Sequence, residues 1–155
     1  MKRALLVALI GVAAAACGGV EAQRAQNAAP AVIEVHKDPT CGCCTLWVDH
    51  LRSAGFTVNV TDNDDMAAFK TQHGVPRQAQ SCHTAVVDGY VVEGHVPAAD
   101  IQRMLRERPA VAGLAVPGMP IGSPGMEVPG MAPQPFDTLT FARDGSLAVF
   151  ASHNK

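Results

Sequence analysis

The period of the apolar positions switches repeatedly along the chain, and each switch marks an element. Ala31-Val32-Ile33-Glu34-Val35 is a β-type run that Asp38-Pro39-Thr40 breaks. Beyond it, Leu46, Trp47, His50, Leu51 and Ala54 recur at helical spacing on one face, with Asp49, Arg52 and Ser53 on the other. Gly55 is a natural stop for that helix. Phe56 to Val60 reads as a second strand. Asp62-Asn63-Asp64-Asp65 then offers a cap and favourable charge to a short helix from Met66 to His73, ended by Gly74. A loop around Val75-Pro76 leads to Ser81-Cys82-His83. Thr84 to Val87 and Tyr90 to Glu93 are strands joined by the turn Asp88-Gly89. Pro97 opens a third helix with Ile101, Met104 and Leu105 on its buried face and Pro109 behind it.

The predicted order is β-α-β-α-β-β-α, an α/β fold with the thioredoxin-like layout, which right-handed crossovers keep compact. The rest of the chain breaks this rhythm. Residues 114–135 form a Pro/Gly/Met-rich stretch in which Pro-Gly-Met occurs three times, ending at Met119, Met126 and Met131. Proline and glycine at that density exclude a regular helix or a central strand, so a loop is expected. Residues 138–150, with Asp144-Gly145 at the centre, read as a short C-terminal hairpin.

The amino terminus changes the setting. Met1-Lys2-Arg3 is basic, and Ala4 to Ala16 is an unbroken apolar run, too short for a comfortable membrane span. This is the form of a secretory signal peptide over residues 1–22, with cleavage expected after Ala22. Lipidation at Cys17 is the alternative, against which stands Ala14 where a lipoprotein signal usually has leucine. Residues 23–30 form a linker, and 31–155 the exported, periplasmic domain, with no membrane span in the mature form. The net charge of −2 and an aromatic content of 5% argue against nucleic acid as a partner.

Export decides how the cysteines are read, because thiols outside the cytosol oxidise unless something holds them. Without Cys17, four remain: Cys41, Cys43, Cys44 and Cys82. Three of them lie within four residues, and a crosslink closing so short a loop removes little unfolded-state entropy. The clustering therefore points to chemistry rather than stapling. Cys41 and Cys44 make a C-x-x-C pair between a strand and a helix, where the helix N-terminus favours thiolates. A disulfide enzyme needs only two sulfurs, whereas Cu(I) gains from the third, Cys43, since soft cations prefer several bridging sulfur ligands.

Further along, thioredoxin-like enzymes usually carry a proline beside the active cysteines, just before the third strand. Here that place holds Ser81-Cys82-His83, which offers a thiolate and an imidazole instead. Met119 and Met126 carry soft thioethers that need no deprotonation, and they are either ligands folded over the cysteines or packing residues. His36 and His95 are weaker candidates for ligands, and His50 is expected to be a packing residue.

These segments resemble a known family. Pro39-Thr40-Cys41-Gly42-Cys43-Cys44, Ser81-Cys82-His83-Thr84, Val92-Glu93-Gly94-His95-Val96-Pro97 and Gly113-Leu114-Ala115-Val116-Pro117-Gly118-Met119-Pro120-Ile121-Gly122-Ser123-Pro124-Gly125-Met126-Glu127 are similar to the CopG-type proteins. That is a periplasmic, thioredoxin-like family linked to bacterial copper resistance. The resemblance spans Val35 to Val128. It implies a C-x-C-C site holding copper as Cu(I), in a multinuclear arrangement bridged by thiolates, and a role in interconverting Cu(I) and Cu(II). Copper-handling or electron-donor proteins of the periplasm would then be partners. Two other readings stay open: a thiol-disulfide oxidoreductase in which Cys41 and Cys44 are the catalytic pair, and a zinc site of Cys3His type.

Overall fold

The computed structural model describes residues 31–155. The expected signal peptide, the linker and Cys17 lie outside the described residues. The elements follow the expected order: β1 (Val32–Lys37), α1 (Gly42–Ser53), β2 (Thr57–Asp62), α2 (Met66–Gln72), β3 (His83–Val87), β4 (Tyr90–Glu93) and α3 (Ala98–Glu107). Three more strands complete the chain: β5 (Gly113–Ala115), β6 (Phe136–Phe141) and β7 (Leu147–His153). All seven strands join one mixed sheet in the order β2-β1-β3-β4-β5-β6-β7. β1 with β2 and β4 with β5 are parallel; the other pairs are antiparallel.

The two-residue period of the strands divides the interior in two. Ile33, Val35, Ala85, Val87, Val92 and Leu114 point to one face, where they pack with Trp47, Val48 and Leu51 of α1 and Ile101 and Met104 of α3. Val91, Ala115 and Phe141 form a smaller cluster with Val75 and Ala79. The buried stripe of α1 is Cys44, Trp47, Val48 and Leu51, a spacing of three, four and seven residues. Leu46, expected on that stripe, is instead 56% exposed. The stripe runs one residue further round the helix, and Val48 fills the space. The short helix α2 is capped by Asp65, whose Oδ1 accepts from the Ala68 amide at 2.9 Å.

The expected loop over 114–135 needs correction at its start. Leu114 and Ala115 belong to β5, a central strand, and the Val116 amide still donates to the Glu93 carbonyl at 3.0 Å. No proline falls within residues 110–116, so the density of prolines begins only at Pro117. Gly113 makes the close pairing possible, because a Cβ there would stand 1.9 Å from the Val91 carbonyl oxygen. As a result the C-terminal hairpin is no separate appendage. β5 joins it to the main sheet, and both its strands reach beyond the expected 138–150. Asp100 on α3 fastens the hairpin: its Oδ2 accepts from Thr138 Oγ1 at 2.6 Å and from His153 Nε2 at 2.9 Å.

On the sheet face that carries α2 lies a buried ion pair that the sequence pattern does not announce. Lys70 Nζ reaches Glu93 Oε1 at 2.6 Å and Thr84 Oγ1 at 2.9 Å, and Thr84 donates to Glu93 Oε2 at 2.6 Å. Glu93 also accepts from the Ser81 amide at 2.6 Å. Removing one member of such a pair leaves an uncompensated buried charge. Lys70→Met is therefore expected to lower stability by about 3 kcal/mol or more, read as a reduced urea midpoint at an unchanged denaturant slope.

Candidate metal centre

Cys41 occupies the position just before the first turn of α1, which contains Cys43 and Cys44. The turn is fixed from upstream. Asp38 Oδ1 accepts from the Thr40 amide at 2.8 Å, and the Cys41 amide donates to the Asp38 carbonyl at 3.0 Å. Cys41 and Cys44 form a disulfide, while Cys43 and Cys82 are free. Cys43 Sγ lies 3.5 Å from Cys41 Sγ. All four sulfurs lie within 4.8 Å of one another. Cys82, 38 residues beyond Cys44 in the chain, is thus brought to the same point as the cysteine turn.

Cys82 stands immediately before β3, and its neighbours are imidazoles. His83 Nδ1 lies 3.2 Å from Cys82 Sγ, and His95 Nε2 lies 3.1 Å from it. Both rings are buried. The His83 ring sits 4.2 Å from the Trp47 indole, which is itself anchored by donating from Nε1 to the Val96 carbonyl at 2.9 Å. His95 Nδ1 donates to the Pro124 carbonyl at 2.8 Å. Burial pushes the Cys82 thiol up to about 11, with the neighbouring Cys43 adding to the effect. Burial holds His83 well below the ordinary histidine value, reinforced by His95 and Lys70, and it lowers His95 as well. Neutral imidazoles are the form that ligates metal.

The Pro-Gly-Met loop closes over this pocket at two points. The Gly118 amide donates to the Gln80 carbonyl at 3.3 Å, and the Ser81 hydroxyl donates to the Gly118 carbonyl. Gly125, at φ +82°, lies directly on α1: a Cβ would meet the Trp47 amide nitrogen at 2.7 Å and the Cys43 carbonyl at 3.0 Å. Met119, just beyond Gly118, is 52% exposed, whereas Met126, just beyond Gly125, is half-buried.

The other histidines separate clearly. His50 Nε2 accepts from the Ala98 amide at 3.0 Å and so caps α3, in line with the packing role expected of it. His36 stacks on Phe69 at 4.0 Å, outside the sulfur cluster. His95 was the weak candidate that the geometry brings in. Its signal lay in the hairpin turn: Asp88-Gly89 pairs Thr84 with Glu93, and continuing the register two residues sets Cys82 opposite His95.

A seven-stranded α/β sheet with a cluster of four sulfurs and two buried imidazoles at the start of its first helix defines a thiol-rich protein with a donor set suited to a soft metal. Comparison with known proteins agrees. A family model described as "Protein of unknown function, DUF411" matches residues 79–126. A solved structure titled "Copper resistance protein copG- Form 2" is 49% identical, covering 81% of this chain and 99% of its own, with a TM-score of 0.76. A second, "Copper resistance protein copG- Form 1", is 48% identical over 82% of this chain and all of its own, with a TM-score of 0.76. No curated protein matches. The chain belongs to the CopG family of copper resistance proteins.

The buried neutral histidines give the fold a defined response to acid. A group held below its unfolded value of 6.5 takes up a proton on unfolding, so stability is full above that value and falls as pH drops through it. His83 is therefore expected to make the fold less stable at pH 5.5 than at pH 7.5. Urea unfolding at the two pH values checks this, with the direction of the midpoint shift as the reading.

Proposed function

We propose that this protein is an exported, periplasmic copper-binding protein of copper resistance that holds Cu(I) through the thiolates of Cys41, Cys43, Cys44 and Cys82. His83 assists, and Met119 and Met126 lend soft thioether donors from the loop. The observation that carries the reading is the meeting of four sulfurs within 4.8 Å, from two distant parts of the chain. Cu(I) favours such a set over the harder oxygen ligands that Mg2+ or Ca2+ require. Several sulfurs this close also suit a multinuclear site with bridging thiolates. Among the described residues no helix is long and apolar enough to cross a membrane. Export rests on the signal-like residues 1–22, with Cys17 as the alternative lipid anchor.

The disulfide favours a second, compatible reading, in which Cys41 and Cys44 are redox-active. Oxidation of the two thiols to the disulfide releases two protons and two electrons. Those electrons reduce two Cu(II) to two Cu(I), or pass to another disulfide in thiol-disulfide exchange. A periplasmic electron donor would restore the thiols. Zinc in a Cys3His set is the weaker alternative, because it gives the loop methionines no role.

Anaerobic titration of the reduced protein with Cu(I), followed by thiolate charge-transfer absorbance and metal analysis, tests the main reading. The Cys43→Ser, Cys44→Ser double variant is expected to bind copper at least about tenfold more weakly, a loss of about 1.4 kcal/mol. Unchanged loading in that variant would sink the proposal, and zinc retained in preference to Cu(I) would favour the zinc site. For the second reading, metal-free protein in an insulin-reduction assay is expected to turn over only if Cys41 and Cys44 exchange disulfides. Absence of turnover removes the exchange function and leaves copper as the electron acceptor.

A further inference from the structure

At the end of the β3–β4 hairpin far from the cysteines, the sheet carries a groove that the thiolate pocket does not use. Two adjoining cavities, of about 500 Å3 and about 300 Å3, share Val111, Ala112 and Arg143. The turn residue Gly89 lines the smaller one. Along the strand, that turn lies roughly 20 Å from Cys82. We propose that this groove binds a short peptide with apolar side chains, its C-terminal carboxylate on Arg143 and its N-terminal ammonium at Asp144. The site does not rest on the copper reading.

Three observations carry it. First, the floor is apolar and preformed. Val91 is buried, and Val111 and Ala112 are half-buried. Their backbone is tied into the sheet: the Val91 amide donates to the Ala112 carbonyl at 3.0 Å, and the Ala112 amide to the Phe141 carbonyl at 2.8 Å. Together the cavities fall within the range of roughly 300–1,000 Å3 usual for small-ligand sites. Second, Arg143 lines both cavities, yet among the described residues it makes no ion pair. A free guanidinium fork matches a carboxylate in shape and charge. Third, the two cavities differ in their polar groups. Asp144 lines only the larger one, and its Oδ1 accepts from the Ser146 hydroxyl at 2.7 Å and the Ser146 amide at 2.9 Å. Those two bonds hold its carboxyl below the ordinary carboxylate range, so it is charged at neutral pH. His73 lines only the smaller one. Its Nδ1 donates to the Phe69 carbonyl at 2.9 Å, which leaves Nε2 of the neutral ring free to accept.

These groups select among ligands. An inorganic anion would gain from Arg143 but meet the like charge of Asp144. A wholly apolar molecule would cover the guanidinium without giving it a partner. A zwitterion with an apolar body satisfies both ends, with its carboxylate beside Arg143 in the smaller cavity and its ammonium beside Asp144 in the larger. The termini then stand one cavity apart, as in a peptide of a few residues and unlike a single amino acid. His73 Nε2 adds an acceptor for a peptide N–H, and the apolar floor takes the side chains.

The tripeptide Ala-Val-Ala with free termini is the probe, and proton–nitrogen spectra of the unaltered protein are the readout. Saturable shifts of the Val111, Ala112 and Arg143 amides are expected, with a Kd of about 1 mM or below. Amidating the peptide's carboxyl, or the Arg143→Gln change in the protein, is expected to weaken binding at least about tenfold, the latter at an unchanged Tm. Asp144→Asn keeps an Oδ1 acceptor for Ser146. It is expected to weaken binding of the free-amine peptide at least about threefold and to leave its N-acetyl form unaffected. Absence of saturable shifts would overturn the proposal, as would shifts confined to residues away from the groove. Equal binding of the free and doubly capped peptides would assign the groove to apolar contact alone and overturn it too. None of these outcomes bears on the Cu(I) titration of the reduced protein.

Discussion

The antiparallel pairing of β3 with β4 sets Thr84 against Glu93 and, two residues on, Cys82 against His95. Because side chains alternate between faces, a slip of one residue would exchange every group at this end of the hairpin. His83 would leave Trp47 on the α1 side, and Thr84 would leave Lys70 on the other. The register is held by the two-residue turn Asp88-Gly89, in which both residues take positive φ, at 49° and 84°. It is also held by the Glu93 carboxylate, which gathers the Ser81 amide, the Thr84 hydroxyl and the Lys70 ammonium. The same carboxylate thus fixes the peptide immediately before Cys82. Position of the thiol and register of the sheet are one constraint.

A buried ion pair is a poor way to gain stability, since desolvation offsets much of its attraction. Its value here is geometric. An apolar pair at positions 70 and 93 would pack, but it would leave the Ser81 amide without its acceptor. The strand would then be free to adjust just where Cys82 must meet the cysteines of α1. On this view the pair is retained for specificity of one arrangement, a role that buried polar groups serve in some proteins. The loop adds a second constraint from above. Gly125 can lie on the first turns of α1 only without a side chain, and Pro124 next to it supplies the carbonyl that orients His95.

Much of this was legible in the sequence, because the relevant signals are local. The β-α-β-α-β-β-α order follows from period changes and caps, and the clustering of three cysteines needs no structure to be noticed. The meeting of Cys82 with them followed from its place before the third strand. What was not legible depends on long-range pairing. Nothing in Gly113-Leu114-Ala115 marks a central strand, since three residues ahead of a proline-rich run carry no period. Only the neighbours β4 and β6 make it one. Leu46 and Val48 are both apolar, and which of them faces inward depends on a rotation of the helix that spacing leaves open. Lys70 reads as a solvated charge on a short helix until Glu93 is found beneath it.

The pocket combines readiness in geometry with reluctance in protonation. The sulfurs and ring nitrogens sit on or directly beside α1, β3 and β4 and already lie together, so little ordering would remain to oppose binding of a metal in the proposed site. Yet Cys82 is held as a thiol, pushed up to about 11 by burial. Ionising it near pH 7 costs at most about 5 kcal/mol, less where water and counter-charges reach the partly exposed sulfur. Only an ion that bonds strongly to thiolate meets that cost. Structural Zn2+ in small domains binds with about 10–16 kcal/mol, whereas Mg2+ and Ca2+ prefer oxygen and gain little from sulfur. In the proposed metal site, burial of Cys82 would therefore act as a filter: it would admit soft and borderline transition metals and leave the thiol protonated, and so less nucleophilic, when none is present.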